Sequence, residues 1–219
     1  MKVQEYIYSR REARPLHFTL LDPGKTSADD LITLAKQTAE AGTDGFMVGG
    51  STDLSLENVD LAVETIKQTT HMPVILFPTH ASSVSGKADA IFFMSLLNSE
   101  SRQFLVGEQI ASAPWVKKTG LEPLSMAYLV VAPGMTAGRV GQAQPLPRDQ
   151  PDLVVSHALA GQYLGMKYIY LEAGSGASEP VPEDIIKSVR KSIDVMLIVG
   201  GGIRTPESAR KVVAAGADI

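Results

Sequence analysis

The chain has 219 residues, 44% of them hydrophobic, so it is long and apolar enough for one domain with a sizeable core. Its 20 Lys and Arg against 24 Asp and Glu give a formal net charge of −4, which leaves no basic surface for nucleic acid. It contains no Cys, which excludes disulfides and thiol catalysis and agrees with a cytoplasmic location, and no apolar run approaches the ~20 residues that span a bilayer.

Short apolar runs rich in β-branched residues alternate along the chain with longer segments of helical periodicity. This pattern predicts parallel strands joined by right-handed crossover helices. Runs such as Val195–Val199 are apolar without alternation, which is typical of strands covered on both faces. Seven strands are predicted, at His17–Leu21, Gly45–Val48, Val74–Phe77, Ala90–Met94, Met126–Val131, Tyr168–Leu171 and Met196–Val199.

The predicted helices lie between these strands, and the last one begins with an N-cap at Thr205 and a proline at Pro206. The segment 78–89, between the third and fourth strands, is short and rich in Ser, so no ordinary helix is expected there. The alternation predicts an α/β fold of the TIM (β/α)8 barrel type in one domain, 1–219. The helices are predicted at Asp29–Ala41, Leu56–Thr69, Ser101–Lys118, Asp152–Leu164, Glu183–Lys191 and Pro206–Ala215.

The segment Ala214–Ile219 predicts a turn into a further strand, with Asp218 and Ile219 as its first residues. A parallel barrel with an open seam would expose unpaired strand edges. We therefore expect the chain of 219 residues to be C-terminally incomplete, without its eighth strand–helix unit. No internal repeat with a period of roughly 20–50 residues is visible in the sequence.

In a barrel, the residues that follow each strand lie on the catalytic face. Asp22 and Lys25 follow the first strand, and a carboxylate there can hold Mg²⁺ on a diphosphate while an ammonium neutralises phosphate oxygens. Ser51 and Thr52 follow the second strand behind two glycines and can also coordinate Mg²⁺. Taken alone, both segments are explained as well by ordinary turns.

The sixth predicted strand ends in the run Tyr168–Gly176, which places Tyr170 and Glu172 two residues apart and on one side of the strand. A glutamate at the end of a buried strand is costly unless it is paired or used. Glu172 is therefore the preferred candidate for a catalytic base. Ser175 and Gly176 follow in a loop that is suited to phosphate.

Three consecutive glycines, Gly200, Gly201 and Gly202, follow the seventh strand and precede a helix N-terminus. Barrel enzymes commonly bind phosphate at this place, with backbone N–H groups and the helix dipole. The position predicts a phosphate site. His17 and His80 lack the paired spacing of zinc ligands, so structural roles are expected for them.

Five motifs together resemble the geranylgeranylglyceryl phosphate synthase family, which has bacterial relatives that make heptaprenylglyceryl phosphate. The resemblance covers nearly the whole chain from residue 17 onward and implies a modified barrel in which an extended segment replaces the third helix. The motifs are Leu21–Lys25, Gly49–Ser51, Phe77–Pro78, Tyr170–Gly176 and Val199–Ile203.

The resemblance implies transfer of a prenyl group from an allylic diphosphate, geranylgeranyl diphosphate first, to the C3 hydroxyl of sn-glycerol 1-phosphate. This reaction makes the first ether bond of archaeal-type membrane lipids and uses Mg²⁺. The resemblance further implies a cytoplasmic homo-oligomer, a dimer or a hexamer, with at most transient membrane contact for product release. A segment around Ile91–Met94, or one from Trp115 to Tyr128, is a candidate wall of the prenyl groove.

The resemblance also implies a role for each motif residue. Tyr170 and Glu172 resemble the residues that hold the glycerol hydroxyls, and Lys25 faces the anions. This sequence has Gly24 where the family often has an acidic residue, and the family's second phosphate loop lies beyond Ile219. The implied Mg²⁺–diphosphate ligands are Asp22, Ser51 and Thr52, and the implied phosphate cradle is Ser175, Gly176, Gly200, Gly201 and Gly202.

Two alternatives remain open at this point. The first is another phosphate-binding barrel enzyme that acts on a phosphosugar, because the triple-glycine site is shared across such folds. The fourth and fifth predicted strands are followed at once by Ser95–Leu97 and Ala132–Gly134, which offer no ionisable group for such chemistry. The second alternative is a non-catalytic protein that only binds a phosphate ligand.

Overall fold

The computed structural model of the protein describes residues 1–50 and 54–219. Parallel strands alternate with helices in these ranges, which confirms the predicted α/β class and TIM-barrel-like fold. The fifth strand begins at Glu122, earlier than the predicted start at Met126. The seven strands are β1 (Phe18–Leu21), β2 (Gly45–Gly49), β3 (Val74–Phe77), β4 (Ala90–Leu96), β5 (Glu122–Val130), β6 (Tyr168–Glu172) and β7 (Met196–Gly200).

The helices confirm most of the predicted pattern, and the predictions for Leu56–Thr69 and Pro206–Ala215 match at both ends. Only a 3-10 turn, Ala81–Ser83, interrupts the extended third crossover, as predicted. The helices are α1 (Val3–Arg11), α2 (Ala28–Glu40), α3 (Leu56–Thr69), α4 (Glu108–Thr119), α5 (Met135–Val140), α6 (Pro151–Tyr163), α7 (Glu183–Ser192) and α8 (Pro206–Ala215).

The prediction of one helix over Ser101–Lys118 is confirmed in its extent, because residues 102–119 are helical without a break, but the first turns are not α-helical. A π-helical segment, Gln103–Gly107, precedes α4, which begins only at Glu108. Helical turns of different width have similar apolar spacing over so short a run, so periodicity does not distinguish them.

Helix α1 was not predicted, because only Val3 and Ile7 of its residues are buried and its apolar pattern is weak. A distant side chain stabilises its N-terminus instead. The Glu122 carboxylate accepts hydrogen bonds from the backbone N–H groups of Val3 at 2.6 Å and Gln4 at 3.2 Å. These bonds satisfy amides that the first turn of a helix leaves unpaired.

The chain groups into two compact units, residues 1–93 with 108–124 and residues 94–107 with 125–219. In the first unit β1, β2 and β3 pair in parallel over a core that includes Phe46 and Leu76. In the second unit β5, β6 and β7 pair in parallel over a core that includes Leu129, Ile169 and Leu197. The single domain over 1–219 stays a prediction.

A hydrogen-bond arrangement that we call the aspartate clamp joins the starts of neighbouring strands. Asp44, just before β2, donates its N–H to the His17 carbonyl at 2.7 Å and accepts the His17 N–H on its carboxylate at 3.1 Å. Asp89, just before β4, makes the same two bonds with Val74, both at 2.9 Å. A cation completes each clamp, Arg14 on Asp44 at 2.6 Å and Lys67 on Asp89 at 2.6 Å.

The third aspartate clamp is formed by Asp218. Its N–H donates to the Leu197 carbonyl at 2.8 Å, and its carboxylate accepts the Leu197 N–H at 2.8 Å and binds Arg190 at 2.8 Å. The carbonyl of Ile219 accepts the Val199 N–H at 3.0 Å, so residues 218 and 219 lie beside β7 as Asp44 and Gly45 lie beside β1. The same arrangement of hydrogen bonds thus recurs at the starts of three strands.

Replacing Asp44 by alanine is expected to lower the free energy of unfolding by about 2–3 kcal/mol, because the part-buried His17 N–H loses its acceptor and Arg10 and Arg14 lose their partner. The Asp44 side chain is 1% exposed and that of Asp89 is 32% exposed, so Asp89→Ala should cost less. Urea unfolding at constant m value measures both. An Asp44→Ala loss no larger than that of Asp149→Ala, in an exposed loop, would contradict the clamp.

Candidate active site

Glu172 ends β6 in the second unit, in a buried, hydrogen-bonded position. Its Oε1 accepts the Gly174 N–H at 2.6 Å, and its Oε2 accepts the Tyr128 hydroxyl at 3.1 Å. The strand register places Glu172 between Val130 of β5 and Gly200 of β7. The residue predicted to be the base is thus a shielded carboxylate with fixed orientation.

The surroundings of Glu172 alter its acidity and that of two tyrosines. Burial raises the pKa of Glu172, and hydrogen bonds from the Gly174 N–H and the Tyr128 and Tyr170 hydroxyls lower it partly again. Burial also raises the pKa values of Tyr128 and Tyr170 well above the ordinary value, and the Glu172 charge adds to the rise. The tyrosines therefore remain protonated donors, while the carboxylate accepts a proton more readily than an exposed glutamate does.

Tyr128 is a member of this group that the sequence placed only in a possible wall of the prenyl groove. It is the register partner of Tyr170, and the two rings meet edge to face with centroids 5.1 Å apart. Partners across a parallel ladder point to the same side of the sheet. Aligning the end of β5 with that of β6 would have revealed Tyr128 as a neighbour of Glu172.

Two of the predicted phosphate-loop glycines allow the backbone to approach this group. A Cβ on Gly200 would lie 2.1 Å from the Tyr170 hydroxyl. A Cβ on Gly201 would lie 2.5 Å from Oε1 of Glu172 and 2.6 Å from the Gly174 nitrogen, and Gly201 has a φ of +81°. All three distances are too short for a Cβ atom, so these positions require glycine.

The structure brings the rest of the predicted phosphate cradle to the same place. Ser175 and Gly176 are exposed in the loop after β6, and the Arg204 guanidinium donates to the Gly176 carbonyl at 2.9 Å. Arg204 precedes Thr205, whose hydroxyl caps the N-terminus of α8 by accepting the Ser208 N–H at 3.1 Å. Exposed backbone beside a helix N-terminus is suited to bind phosphate.

In the first unit, Asp22 directly follows β1 and is held by two donors. Its Oδ1 accepts the Gly24 N–H at 3.0 Å, and its Oδ2 binds the Lys25 ammonium at 2.9 Å. A Cβ on Gly50 would lie 2.5 Å from Oδ2, so the backbone after β2 touches the carboxylate. Lys25, predicted to face phosphate anions, pairs with Asp22 here. Ser51 and Thr52 lie outside the described residues.

The donor set around Asp22 bears on the predicted Mg²⁺. Among residues 1–50 and 54–219 there is no group of three or more His, Cys, Asp or Glu that could hold a metal. Mg²⁺ that is bound mainly by substrate phosphates and water commonly uses only one or two protein carboxylates. The single carboxylate of Asp22 fits this kind of site. The Asp22 site thus fits a metal that comes with a diphosphate.

Other residues singled out in the sequence have structural partners. His17 contacts the Thr43 hydroxyl at 3.2 Å and His80 contacts Glu108 at 3.1 Å, in line with the structural roles expected for them. Trp115 donates to the Val84 carbonyl at 2.9 Å, and the residue is 40% exposed. Ile91 is buried. The prenyl groove stays a prediction.

Within the described ranges, we find no helix that is both long and apolar enough to cross a membrane.

The PcrB family model matches residues 8–219 of the chain. Geranylgeranylglyceryl phosphate synthase of Pyrococcus horikoshii is 53% identical over 218 residues, covering 100% of this chain and 86% of its own. Geranylgeranylglyceryl phosphate synthase of Methanothermobacter marburgensis is 47% identical over 219 residues, covering 100% of this chain and 89% of its own.

Solved structures are similar over the same extent. Wild-type GGGPS from Thermoplasma volcanium has a TM-score of 0.97 and 47% identity, covering 100% of this chain and 88% of its own. The (S)-3-O-geranylgeranylglyceryl phosphate synthase from Thermoplasma acidophilum, in complex with substrate sn-glycerol-1-phosphate, has a TM-score of 0.96 and 46% identity with the same coverage.

Proposed function

The chain belongs to the PcrB family, and on this premise we propose that it joins a prenyl group to the C3 hydroxyl of sn-glycerol 1-phosphate. Relatives about 50% identical are named for the geranylgeranylglyceryl phosphate product, and they come from archaea. The buried Glu172 carboxylate beside two glycine loops is the observation in this chain that carries the proposal. The protein is thus a prenyltransferase of archaeal-type lipid synthesis.

Glu172 is the group that takes the proton in this reaction. The glycerol C3 oxygen forms a bond to C1 of the prenyl group, the bond between C1 and the diphosphate oxygen breaks, and diphosphate leaves with the electron pair. The hydroxyl proton passes to the Glu172 carboxylate, whose raised pKa suits it to accept. Tyr128 donates to the other carboxylate oxygen and keeps the base oriented.

The phosphate of sn-glycerol 1-phosphate binds to the backbone of the exposed residues Ser175 and Gly176 and of the partly buried glycines Gly200–Gly202. Positive φ angles at Gly176 (+86°), Gly201 (+81°) and Gly202 (+71°) give this backbone a conformation that other residues rarely adopt. The dipole of α8 adds a favourable field for the anion. Binding phosphate here directs the glycerol hydroxyls to Tyr170 and Glu172.

The diphosphate of the prenyl donor binds in the first unit, where Asp22, Ser51 and, secondarily, Thr52 would hold Mg²⁺. When bound, Mg²⁺ would neutralise charge on the leaving diphosphate. Lys25, now paired with Asp22, adds positive charge for the same oxygens. Geranylgeranyl diphosphate is the first donor to test. The homo-oligomer, dimer or hexamer, the cytoplasmic location and transient membrane contact during product release also remain proposals.

One assay distinguishes this function from phosphosugar chemistry and from ligand binding alone. The full protein is incubated with labelled sn-glycerol 1-phosphate and allylic diphosphates of graded chain length. Label is expected in the organic phase with Mg²⁺ and not with EDTA. Absence of extractable product at every chain length would overturn the proposal, and turnover of a phosphosugar would favour the alternative enzyme.

Asp22→Asn is expected to raise the Mg²⁺ concentration for half-maximal rate about tenfold, because an amide is a weaker ligand than a carboxylate. Gly24 can still donate to the remaining carbonyl oxygen, so the turn should persist. Initial rates over a Mg²⁺ titration measure the change. Asp29→Asn, on an exposed position of α2, is the control. Equal Mg²⁺ dependence in both variants would remove Asp22 from the metal site.

A further inference from the structure

Arg148 lies in the Gln- and Pro-rich segment 141–151, to which the proposed function assigns no role. Its guanidinium donates to the Pro180 carbonyl at 2.9 Å and to the Ala132 carbonyl at 3.2 Å. It also approaches the Glu179 carboxylate at 3.4 Å, but that side chain is 75% exposed. An exposed ion pair contributes little, so the two backbone carbonyls are the contacts that matter.

The backbone that Arg148 binds at Pro180 packs directly against the phosphate loop. A Cβ on Gly202 would lie 2.2 Å from the Glu179 carbonyl oxygen and 2.6 Å from the Pro180 nitrogen. Residues 179 and 180 are therefore in contact with Gly202 and are also held by Arg148. Gly202 has a φ of +71°. Because glycine adopts positive and negative φ angles about equally readily, contacts with neighbouring residues must hold Gly202 in this conformation.

The other anchor of Arg148 is rigid. Leu146 donates its N–H to the Val130 carbonyl and accepts the Ala132 N–H, both at 2.9 Å, so this segment is tied to the end of β5 two residues before Arg148. Val131 in turn donates to the Glu172 carbonyl at 2.8 Å. A planar guanidinium with several N–H donors can bridge two carbonyls on different loops, whereas an ammonium offers a single point of attachment.

We propose that Arg148 is a positioning residue for the phosphate of sn-glycerol 1-phosphate. It fixes residues 179 and 180 against Gly202, and this holds the Gly200–Gly202 backbone in its phosphate-binding conformation. Arg148 acts through the loop and not on the substrate. The inference rests on the proposed function, since it assigns Gly202 to the phosphate site.

The test compares Arg148→Gln and Arg148→Lys with Arg139→Gln, an exposed arginine on α5 of the same unit. Titration calorimetry with sn-glycerol 1-phosphate should show a Kd about tenfold higher for Arg148→Gln and a smaller rise for Arg148→Lys, since supporting residues typically cost 10–100-fold. The KM for the prenyl diphosphate should change less than about twofold, because its binding residues lie elsewhere. If Arg148 only stabilised the fold, its replacement would raise both the Kd for sn-glycerol 1-phosphate and the KM for the prenyl diphosphate.

An unchanged Kd in both Arg148 variants, with an unchanged control, would overturn the positioning role while leaving the proposed function intact. Equal rises in the Kd and in the KM for prenyl diphosphate would overturn it too. Wild-type protein that neither binds sn-glycerol 1-phosphate nor forms product would instead refute the proposed function. If circular dichroism shows that Arg148→Gln is unfolded, the same comparison is made with Arg148→Lys alone.

Discussion

Replacing Glu172 by glutamine is expected to lower kcat about 10²–10⁴-fold, the usual contribution of a positioned general base. The amide cannot accept the proton of the glycerol hydroxyl. The Kd for sn-glycerol 1-phosphate should rise by less than about threefold, because backbone groups and not the Glu172 carboxylate bind the phosphate. The base therefore acts in the transition state far more than in substrate binding.

The glutamine variant should fold normally, which makes the comparison informative. Its amide oxygen can accept the Gly174 N–H as Oε1 does now, and its amide nitrogen can donate to the Tyr128 hydroxyl oxygen. Unfolding in urea checks this directly. Glu183→Gln, on a half-exposed position of α7, is the matched control and should retain full activity.

The pH dependence of kcat/KM provides a second test of the same residue. The base must be ionised to act, so activity should fall as the pH drops through the pKa of Glu172. Because burial raises that pKa, the acid limb should lie above the range of an ordinary glutamate. Glu172→Gln should lose this limb together with its activity. Full activity of the variant, or an acid limb that persists unchanged in it, would exclude Glu172 as the base.

Gly201→Ala is expected to reduce kcat/KM by about 10²-fold or more, since displacements of roughly 1 Å at a reacting group cost that much. The new methyl group would lie 2.5 Å from Oε1 of Glu172 and 2.8 Å from the Gly174 carbonyl oxygen. The Gly174 backbone has no room to retreat, because its own Cβ position is 2.7 Å from the Gly134 carbonyl. The substitution therefore displaces the base and the phosphate loop together.

Gly165→Ala is a control that separates the effect of the Gly201→Ala clash from the cost of placing alanine at a positive φ angle. Gly165 has a φ of +89° and nothing within 4 Å of its Cβ position, so Gly165→Ala carries the same angular strain without the contact. We expect it to lose about 1–2 kcal/mol of stability and to keep its kcat/KM. Steady-state kinetics and urea unfolding of both variants give the comparison. Equal activity of the two would show that the approach of Gly201 to Glu172 is not required.

The sequence predicted the elements that depend on local pattern. All seven strands, the extended third crossover and the exact bounds of α3 follow from apolar runs, turn residues and caps. It also identified Tyr170 and Glu172 as neighbours, because two residues along a strand always face the same side. Elements stabilised by distant partners were missed, and α1, whose first amides bind Glu122, is the clearest example.

What the sequence determined by itself is the order of parallel strands and the chemistry at their ends, since both are written in residue type and spacing. Only the tertiary structure decided which groups meet. Tyr128 reaches Glu172 through the pairing of β5 with β6, and Gly201 reaches it through the pairing of β6 with β7. Arg148 reaches residue 180 across 32 positions of the chain. Such contacts depend on register and packing between distant segments, which no local pattern encodes.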